Sequence, residues 1–263
     1  MKRLVYTFRA LLFGASILSA PAVADSIVRI AVPDITGLLT ENRDGVYQKI
    51  LYRALEGLDV NVRERFYPYK RAMMVFEQRG ADCIYSLTSV LERRLGEGAV
   101  IASFPLGKFT YYLFTAQDDD PVSRLSQLRG ETVGAVIGHE AYLDGVLEGL
   151  DVNVIWSRSD AQNLAMLEHR RFGAMIAAIP DIRPFLDKLS YDPEAPLLES
   201  YDRLTCHNTE ANRQFLSNLS AEMKRLKQAG VYEQLAGSLY VEFEDPAATA
   251  GPSLVNRPFP SHD

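Results

Sequence analysis

The chain has 263 residues, of which 47% are hydrophobic, and a formal net charge of −6 at pH 7. This length supports one large core or two smaller ones, and the acidic balance without a basic run excludes nucleic acid and anionic lipid surfaces as partners. The four histidines and two cysteines form no ligand pair, and no glycine-rich phosphate loop is present. We therefore expect no metal and no cofactor.

The first 24 residues have the pattern of a secretory signal. A basic start precedes a short apolar run over 10–19, and small residues at 22–24 suit a signal peptidase. We expect cleavage after Ala24 and export to the periplasm. The alternative is an uncleaved anchor, but the run is about half of the ~20 residues that span a bilayer. Cleavage removes three positive charges and no negative ones, so the mature net charge is −6 − 3 = −9.

The next stretch alternates strands with helices. Strands are predicted over 28–32, 60–66 and 83–87, where apolar residues alternate or run together. Helices are predicted to begin at Asp44 and Pro68, and a third at Ser89, where Ser89-x-x-Glu92 has the form of a capping box. This order predicts parallel strands joined by right-handed crossovers, which is an α/β lobe.

A second unit of the same kind begins with the apolar segment 109–114. Further strands are predicted over 132–137, 152–156, 173–179 and 204–207. Helices are predicted over 139–150, 159–171 and 209–227, with another from Pro180 and a last short one that reaches Tyr240. Residues 190–203 hold prolines and charges and are predicted to be a loop. Residues 243–263 lack periodicity and are predicted to be a disordered tail.

Four stretches together resemble the family 3 bacterial extracellular solute-binding proteins. They are an aromatic segment with lysine and arginine at 66–71, a Gly-x-Asp strand followed by a serine-containing turn and Glu-Arg-Arg at 80–94, a Leu-Arg-Gly entry to a strand at 125–134, and a closing helix with a Gly-x-Tyr turn at 223–232. The resemblance covers about residues 27–240.

The resemblance implies an α/β, two-lobed periplasmic-binding-protein type II fold. Each lobe would be a mostly parallel sheet flanked by helices. The chain would build a first lobe over 25–108, a second lobe over 109–203, and return to the first lobe over 204–242. A two-stranded hinge would lie near 106–110 and 200–205.

The two cysteines, Cys83 and Cys206, favour a disulfide because an even number of cysteines in an exported chain is usually paired. The alternative is two separately buried thiols. The resemblance places both residues in the first lobe, which is compatible with the bond.

The resemblance also implies a ligand site in the cleft between the lobes. In family members that bind amino acids, an arginine after the serine turn holds the ligand carboxylate, and this position matches Arg94, with Arg93 as the alternative. Ser86 and Ser89 match the hydroxyls of that turn. A surface charge at Arg94 and a helix cap at Ser89 are the competing interpretations.

Further candidates for ligand contact are spread over both lobes. Asp34 follows the first strand, and Phe109 and Tyr111 lie beside the expected hinge. Tyr67 and Tyr69 would stack on the ligand or line its pocket; the alternative is that they only pack around Pro68.

His139 and Glu140 follow Gly138, where the family places small hydroxyl residues at a helix N-terminus. A glutamate there would repel a ligand carboxylate. The family's acidic residue for the ligand amino group aligns with Ala178, while Asp181 is displaced from that position. Both anchors for an α-amino acid therefore depart from the family pattern, and we expect a different small polar solute.

The resemblance implies a monomeric binding protein that delivers its solute to an inner-membrane ABC permease. The same closed shape could be recognised by a membrane sensor instead. A third alternative is an enzyme on the same fold, such as a periplasmic dehydratase similar to the cyclohexadienyl type. His139 and Glu140 are the obvious acid–base candidates for it, but adjacent helix residues do not face each other.

Overall fold

A computed structural model describes residues 27–245, so the predicted signal peptide and residues 246–263 lie outside the described part. The strands are β1 Val28–Pro33, β2 Val62–Tyr67, β3 Cys83–Ser86, β4 Val100–Ala102, β5 Gly107–Ala116, β6 Thr132–Val136, β7 Asn153–Ser157, β8 Ala174–Ile179, β9 Leu189–Ser190 and β10 Leu198–His207. The helices are α1 Val46–Leu55, α2 Tyr69–Glu77, α3 Thr88–Leu95, α4 Glu140–Leu147, α5 Asp160–Glu168, α6 Glu210–Gln228 and α7 Val231–Ala236. None of the helices in residues 27–245 has the length and apolarity to cross a membrane.

The strands follow the order β2-β1-β3-β10-β5-β8-β6-β7, with β4 beside β10 and β9 beside β5. We call the half built on β1 to β4 lobe 1, and the half built on β5 to β9 lobe 2. Strands β1, β2 and β3 pair in parallel, as do β6, β7 and β8, whereas β5 and β10 run antiparallel to their neighbours. The predicted two-lobed α/β fold is confirmed.

Strand β10 takes part in both lobes. Its residues 198–202 pair with β5, and its residues 203–206 pair with β3. The prediction of a loop over 190–203 is therefore wrong for its last six residues. Charged side chains such as Glu199 and Arg203 give the segment the composition of a loop, and residues 198–201 are all partly or fully exposed.

Each lobe has a buried core made by the faces that the periodicity predicted. In lobe 1, the apolar face of α6 is buried through Leu219, Met223 and Leu226. In lobe 2, β8 is buried along residues 174–178, as expected for a central strand with covered faces. The helix predicted from Pro180 is a short 3-10 helix, Arg183–Lys188, with a proline in its first turn.

Side-chain hydroxyls cap two of the helices. The hydroxyls of Ser159 and Thr209 accept hydrogen bonds from backbone N–H groups in the first turns of α5 and α6. The capping box at Ser89 is wrong, because α3 begins one residue earlier with Leu87 at its N-cap position. Ser89 is consequently an exposed residue inside the helix.

The C-terminal segment is ordered further than the sequence predicts. Phe243 is 4% exposed and packs near Phe104, Tyr201 and Tyr232, with the Lys227 ammonium 4.5 Å from its ring centre. The prediction that the disordered tail begins at 243 is therefore wrong for this residue. The remainder of the predicted tail, from 246, lies outside the described residues.

Cys83 and Cys206 form a disulfide, as predicted. The two residues face each other in the antiparallel pair of β3 and β10. The bond joins positions 123 residues apart, so it closes a loop that contains all of lobe 2. It also fastens the lobe 1 half of β10 to the centre of that lobe.

We expect reduction of this disulfide to lower the melting temperature by roughly 10–20 °C. A loop of this length constrains the unfolded chain by about 5 kcal/mol, and in a chain of this size each kcal/mol corresponds to ~2–4 °C. Calorimetry with and without a thiol reductant measures the shift. The double variant with Cys83→Ala and Cys206→Ala is the control and should not respond to the reductant; free thiols in the native protein would contradict the bond.

Candidate functional site

A cleft of about 490 Å³ lies between the lobes. Lobe 1 contributes the loop 34–36 after β1 and residues 68–70 at the start of α2. Lobe 2 contributes the end of β6, residues 158–160 at the start of α5, and Asp181 after β8. The walls are thus the C-terminal ends of strands and the first turns of helices, where α/β folds bind their ligands.

A small recess of about 20 Å³ adjoins this cleft and shares Ile35, His139 and Asp181 with it. Its other lining residues are Phe109, Tyr111, Tyr142, Ala178 and Asp202. The space is sufficient for about one water-sized group. The recess is therefore a narrow inner end with aromatic and acidic walls.

Beside the cleft, α2 and α3 of lobe 1 contact the start of α4 in lobe 2. The Tyr69 hydroxyl donates a hydrogen bond to the Tyr142 hydroxyl. The Lys70 ammonium lies 2.7 Å from Glu140 Oε1, and the Arg93 guanidinium donates to the Ala141 carbonyl oxygen at 3.1 Å. These contacts join the lobes through the chain's own side chains.

The Glu140 carboxylate occupies the N-terminus of α4. Its Oε2 accepts a hydrogen bond from the Gly138 N–H. Burial opposes its ionisation, but the hydrogen bonds from Lys70 and from the backbone of Glu140 and Gly138 outweigh this and lower the pKa of Glu140. The carboxylate is therefore ionised at neutral pH and neutralises the positive end of the helix.

Three carboxyl groups lie around the inner part of the cleft. Burial raises the pKa of Asp202 to about 7, although the Tyr47 hydroxyl donates to its Oδ2 at 3.0 Å and opposes the rise. Burial also raises the pKa of Asp160 to about 6. The pKa of Asp181 is well above its ordinary range because of burial first and then the charges of Asp160 and Asp202.

His139 is neutral at pH 7 because burial lowers its pKa to about 4. Its Nδ1 lies 3.0 Å from the Tyr111 hydroxyl oxygen. The rings of Tyr111 and Tyr142 make edge contacts with the imidazole, and Phe109 makes edge contacts with both tyrosines. The inner end of the cleft consequently holds acids and aromatic rings but no basic charge from this histidine.

The structure brings together several of the predicted site residues. Asp34, Tyr69 and His139 line the cleft, Phe109 and Tyr111 line the recess, and Glu140 lies at the contact between the lobes.

Three predicted residues are elsewhere. Tyr67 is partly buried beside Arg65, Ser86 is buried with an unpartnered hydroxyl, and Ser89 is exposed on α3. None of these three is part of the lining of the cleft or the recess.

Arg94 lies at a separate opening of about 300 Å³, next to the contact between α2 and α4. Its Nε is 2.6 Å from Glu77 Oε1, and its side chain is 49% exposed. Arg93 instead reaches across to lobe 2. Neither arginine lines the 490 Å³ cleft.

Sequence reasoning missed Asp160, Asp202 and Tyr142 as site residues. Asp160 resembles any acid in a first helical turn, and Asp202 fell in the segment predicted to be a loop. Asp181, which sequence alignment displaced from the family position, does reach the cleft, and Ala178 lines the recess beside it. Within residues 27–245, no three histidine, cysteine or acidic side chains are arranged to hold a metal ion.

No family model matches the sequence, and no curated protein matches it. Solved structures do. The substrate-binding protein of an amino acid ABC transporter superposes with a TM-score of 0.62 at 16% identity, over 82% of this chain and 99% of the other. This chain has the two-lobed fold of type II periplasmic binding proteins.

Two further structures share this fold. The GluR0 ligand-binding core from Nostoc punctiforme, in complex with (L)-glutamate, matches with a TM-score of 0.65 at 12% identity, over 81% of this chain and 99% of the other. The ancestral amino acid-binding protein AncCDT-1, a precursor of cyclohexadienyl dehydratase, matches with a TM-score of 0.63 at 13% identity, over 82% of this chain and 95% of the other. At these identities the likeness establishes the fold alone.

We expect Asp202→Asn to stabilise the ligand-free protein above neutral pH. A buried carboxyl with a raised pKa stabilises the fold below about pH 4, where it is protonated in both states, and this contribution is lost as the pH rises through about 7. Asparagine is uncharged at every pH, so the variant does not lose this stability as the pH rises. The free energy of unfolding of the variant, relative to that of the wild type, should therefore increase by on the order of 3 kcal/mol between these pH values.

Urea denaturation at several pH values measures this difference. Asp151→Asn, at an exposed position, is the matched control and should show no such trend. A constant difference between Asp202→Asn and the wild type across the pH range would contradict the burial of the charge.

Proposed function

We propose that this protein is a periplasmic solute-binding protein that captures one small polar molecule between its lobes. The observation that carries the proposal is the cleft, whose walls come from both lobes at the ends of their strands. The signal pattern over residues 1–24, with cleavage after Ala24, supports export. We further propose that the mature protein is a monomer that delivers its solute to an inner-membrane ABC permease.

The proposed mechanism is closure about a hinge formed by β5 and β10, near residues 106–110 and 200–205. In this region Gly107 pairs with Asp202, and Tyr47 of α1 packs against both. A Cβ atom at position 107 would lie 2.7 Å from the Tyr47 ring, so the close packing requires glycine. A solute that contacts both lobes binds the closed state better and shifts the equilibrium toward it.

Delivery to a transporter is supported by the likeness to a substrate-binding protein of an amino acid ABC transporter. The alternative is that a membrane sensor recognises the closed form. Both roles use the same cleft and the same movement. We also propose that one lobe comprises 25–108 and 204–242 and the other 109–203; the change of pairing partner within β10 after residue 202 supports this division.

One observation favours an enzyme as the second candidate. Asp160 and Asp181 have raised pKa values beside a cleft, which is also typical of catalytic acids. The pair first considered, His139 and Glu140, is poorly suited to acid–base catalysis: the histidine, with a pKa of about 4, is a weak base, and the glutamate is engaged by Lys70. A binding assay that also detects turnover separates the two candidates.

We expect one class of solute to raise the melting temperature of mature protein, residues 25–263, after unfolding and refolding to remove bound ligand. The panel contains amino acids, amines, organic acids and sugars. A solute at a thousand times its Kd adds about 4 kcal/mol, which is a shift of ~8–16 °C for a chain of this size. Chromatography of the solute afterwards should show it unchanged. A product would support the enzyme, and a panel without any shift would oppose a solute-binding role.

We expect Gly138→Ala to weaken binding of the solute found in that screen by about ten- to a hundredfold, since overlap of this kind costs ~1–3 kcal/mol. The added Cβ would lie 2.9 Å from Tyr69 Cβ and would keep the lobes apart. X-ray scattering should accordingly show a smaller solute-induced decrease in the radius of gyration than in the wild type.

Gly149→Ala is the control for this variant. Gly149 also has a positive φ, +76°, but no atom lies within 4 Å of the added Cβ, so the variant has the backbone strain without the clash. Equal effects of the two substitutions on affinity would mean that contact between Gly138 and Tyr69 is not needed for closure.

A further inference from the structure

The charges that line the cleft and its recess are mainly negative. Four carboxyl groups face these spaces: Asp34, Asp160, Asp181 and Asp202. Two cationic side chains also line the cleft. Lys70 is paired with the Glu140 carboxylate at 2.7 Å, and Arg158 is exposed. The inner end of the cleft therefore presents acids without a basic partner.

Two of these carboxyl groups have an oxygen that is shielded from solvent and has no hydrogen-bond partner, namely Oδ1 of Asp160 and Oδ1 of Asp181. Asp202 is only 7% exposed, and Tyr47 donates to one of its oxygens, Oδ2. Buried acceptors without partners are uncommon, because each has lost its hydrogen bonds to water without gaining others. A ligand group that donates hydrogen bonds would remove this cost.

The positions at which lobe 2 could bind an anion are already occupied by its own acidic residues. The Gly138 N–H at the start of α4 donates to the Glu140 carboxylate. Asp160 is the first residue of α5, and the Ser159 hydroxyl accepts the N–H of Gln162 there. Helix N-termini are the usual binding sites for ligand anions, so the acidic residue in the first turn of α4 and of α5 disfavours a solute carboxylate at these helices.

The recess fits a cationic group in size and in chemistry. It has room for one water-sized group, which is about the size of an ammonium ion. Rings of Phe109, Tyr111 and Tyr142 form its walls, and aromatic rings attract organic cations. Asp181 and Asp202 supply acceptors at the same place.

We propose that the solute is an organic ammonium ion without a carboxylate, such as an alkylamine or a diamine, whose ammonium group enters the recess between Asp181 and Asp202. The rest of the solute then lies in the 490 Å³ cleft near Asp160 and Asp34. This inference rests on the proposed solute-binding function and adds the chemical class of the solute.

The test is isothermal titration of the mature protein with unbranched four-carbon probes that differ only in their terminal groups. The probes are butylamine, terminal diaminobutane, terminal butanediol, succinate and the terminal aminobutanoate. At about pH 8 alkylamines remain protonated, while Asp202, with a pKa of about 7, is mostly ionised. A fixed salt concentration keeps charge screening equal for all probes.

We expect both amines to bind, and aminobutanoate, butanediol and succinate to bind at least tenfold more weakly than butylamine. Asp181→Asn retains the shape of the side chain but replaces one carboxyl acceptor with an N–H donor, so it should weaken butylamine binding by about ten- to a hundredfold. Asp160→Asn should have the larger effect on the diamine. The matched control Asp151→Asn, at an exposed position, should bind both amines as the wild type does.

The outcomes separate this inference from the function on which it rests. Binding of an acid, sugar or amino acid from the broad screen in preference to the amines would overturn the ammonium assignment and leave the solute-binding role intact. The assignment would also be overturned if aminobutanoate or butanediol bound as tightly as butylamine. Equal losses of butylamine affinity in Asp181→Asn and Asp151→Asn would have the same meaning. Absence of binding in both the screen and the probe set would reject the solute-binding function together with the inference.

Discussion

The arrangement of this protein depends on a single strand that both lobes share. Residues 198–202 of β10 pair with β5 in lobe 2, and residues 203–206 pair with β3 in lobe 1. Asp202 is the last residue of β10 that pairs with lobe 2 before the strand changes its partner. Its carboxyl group lines the recess and accepts a hydrogen bond from Tyr47, so the junction of the lobes and the inner end of the cleft meet at one residue.

The disulfide determines how this shared strand is held. Because Cys206 is bonded to Cys83, the lobe 1 half of β10 is attached covalently to the strand beside it. The lobe 2 half is held to β5 without a covalent bond, by backbone hydrogen bonds and by the ion pair between Lys108 and Glu199 at 2.7 Å. A bend at residues 202 and 203 would therefore move lobe 2 against a fixed lobe 1.

Periodicity was sufficient to predict most elements of the fold, because apolar faces with a period of two or of 3.6 are required wherever a sheet or helix covers a core. The first half of β10 could not be predicted in this way. It has the composition of a loop because it contains Glu199, Asp202 and Arg203. It is a strand because its backbone pairs with β5, whose residues lie at least 87 positions earlier in the sequence, as in the pair Leu198↔Tyr111. Pairing between distant segments leaves no local pattern.

The candidate site was predictable in part, for a different reason. Tyr69, Tyr111, His139 and Glu140 were found from the family resemblance, and the structure groups them at the contact between the lobes. Their chemical state was not predictable. The neutral imidazole of His139 is a consequence of burial, and the engagement of Glu140 depends on Lys70 of the other lobe.

The contacts of Tyr69, Lys70 and Arg93 with the start of α4 have a consequence for the size of the solute. They already contribute part of the attraction between the lobes, and the Glu140 carboxylate fills a place that a larger solute would otherwise have to fill. The free protein should then spend an appreciable fraction of its time in compact forms. Under the solute-binding function proposed above, a molecule with few hydrogen-bonding groups would be enough to shift such a population, and the solute could then be smaller than an amino acid.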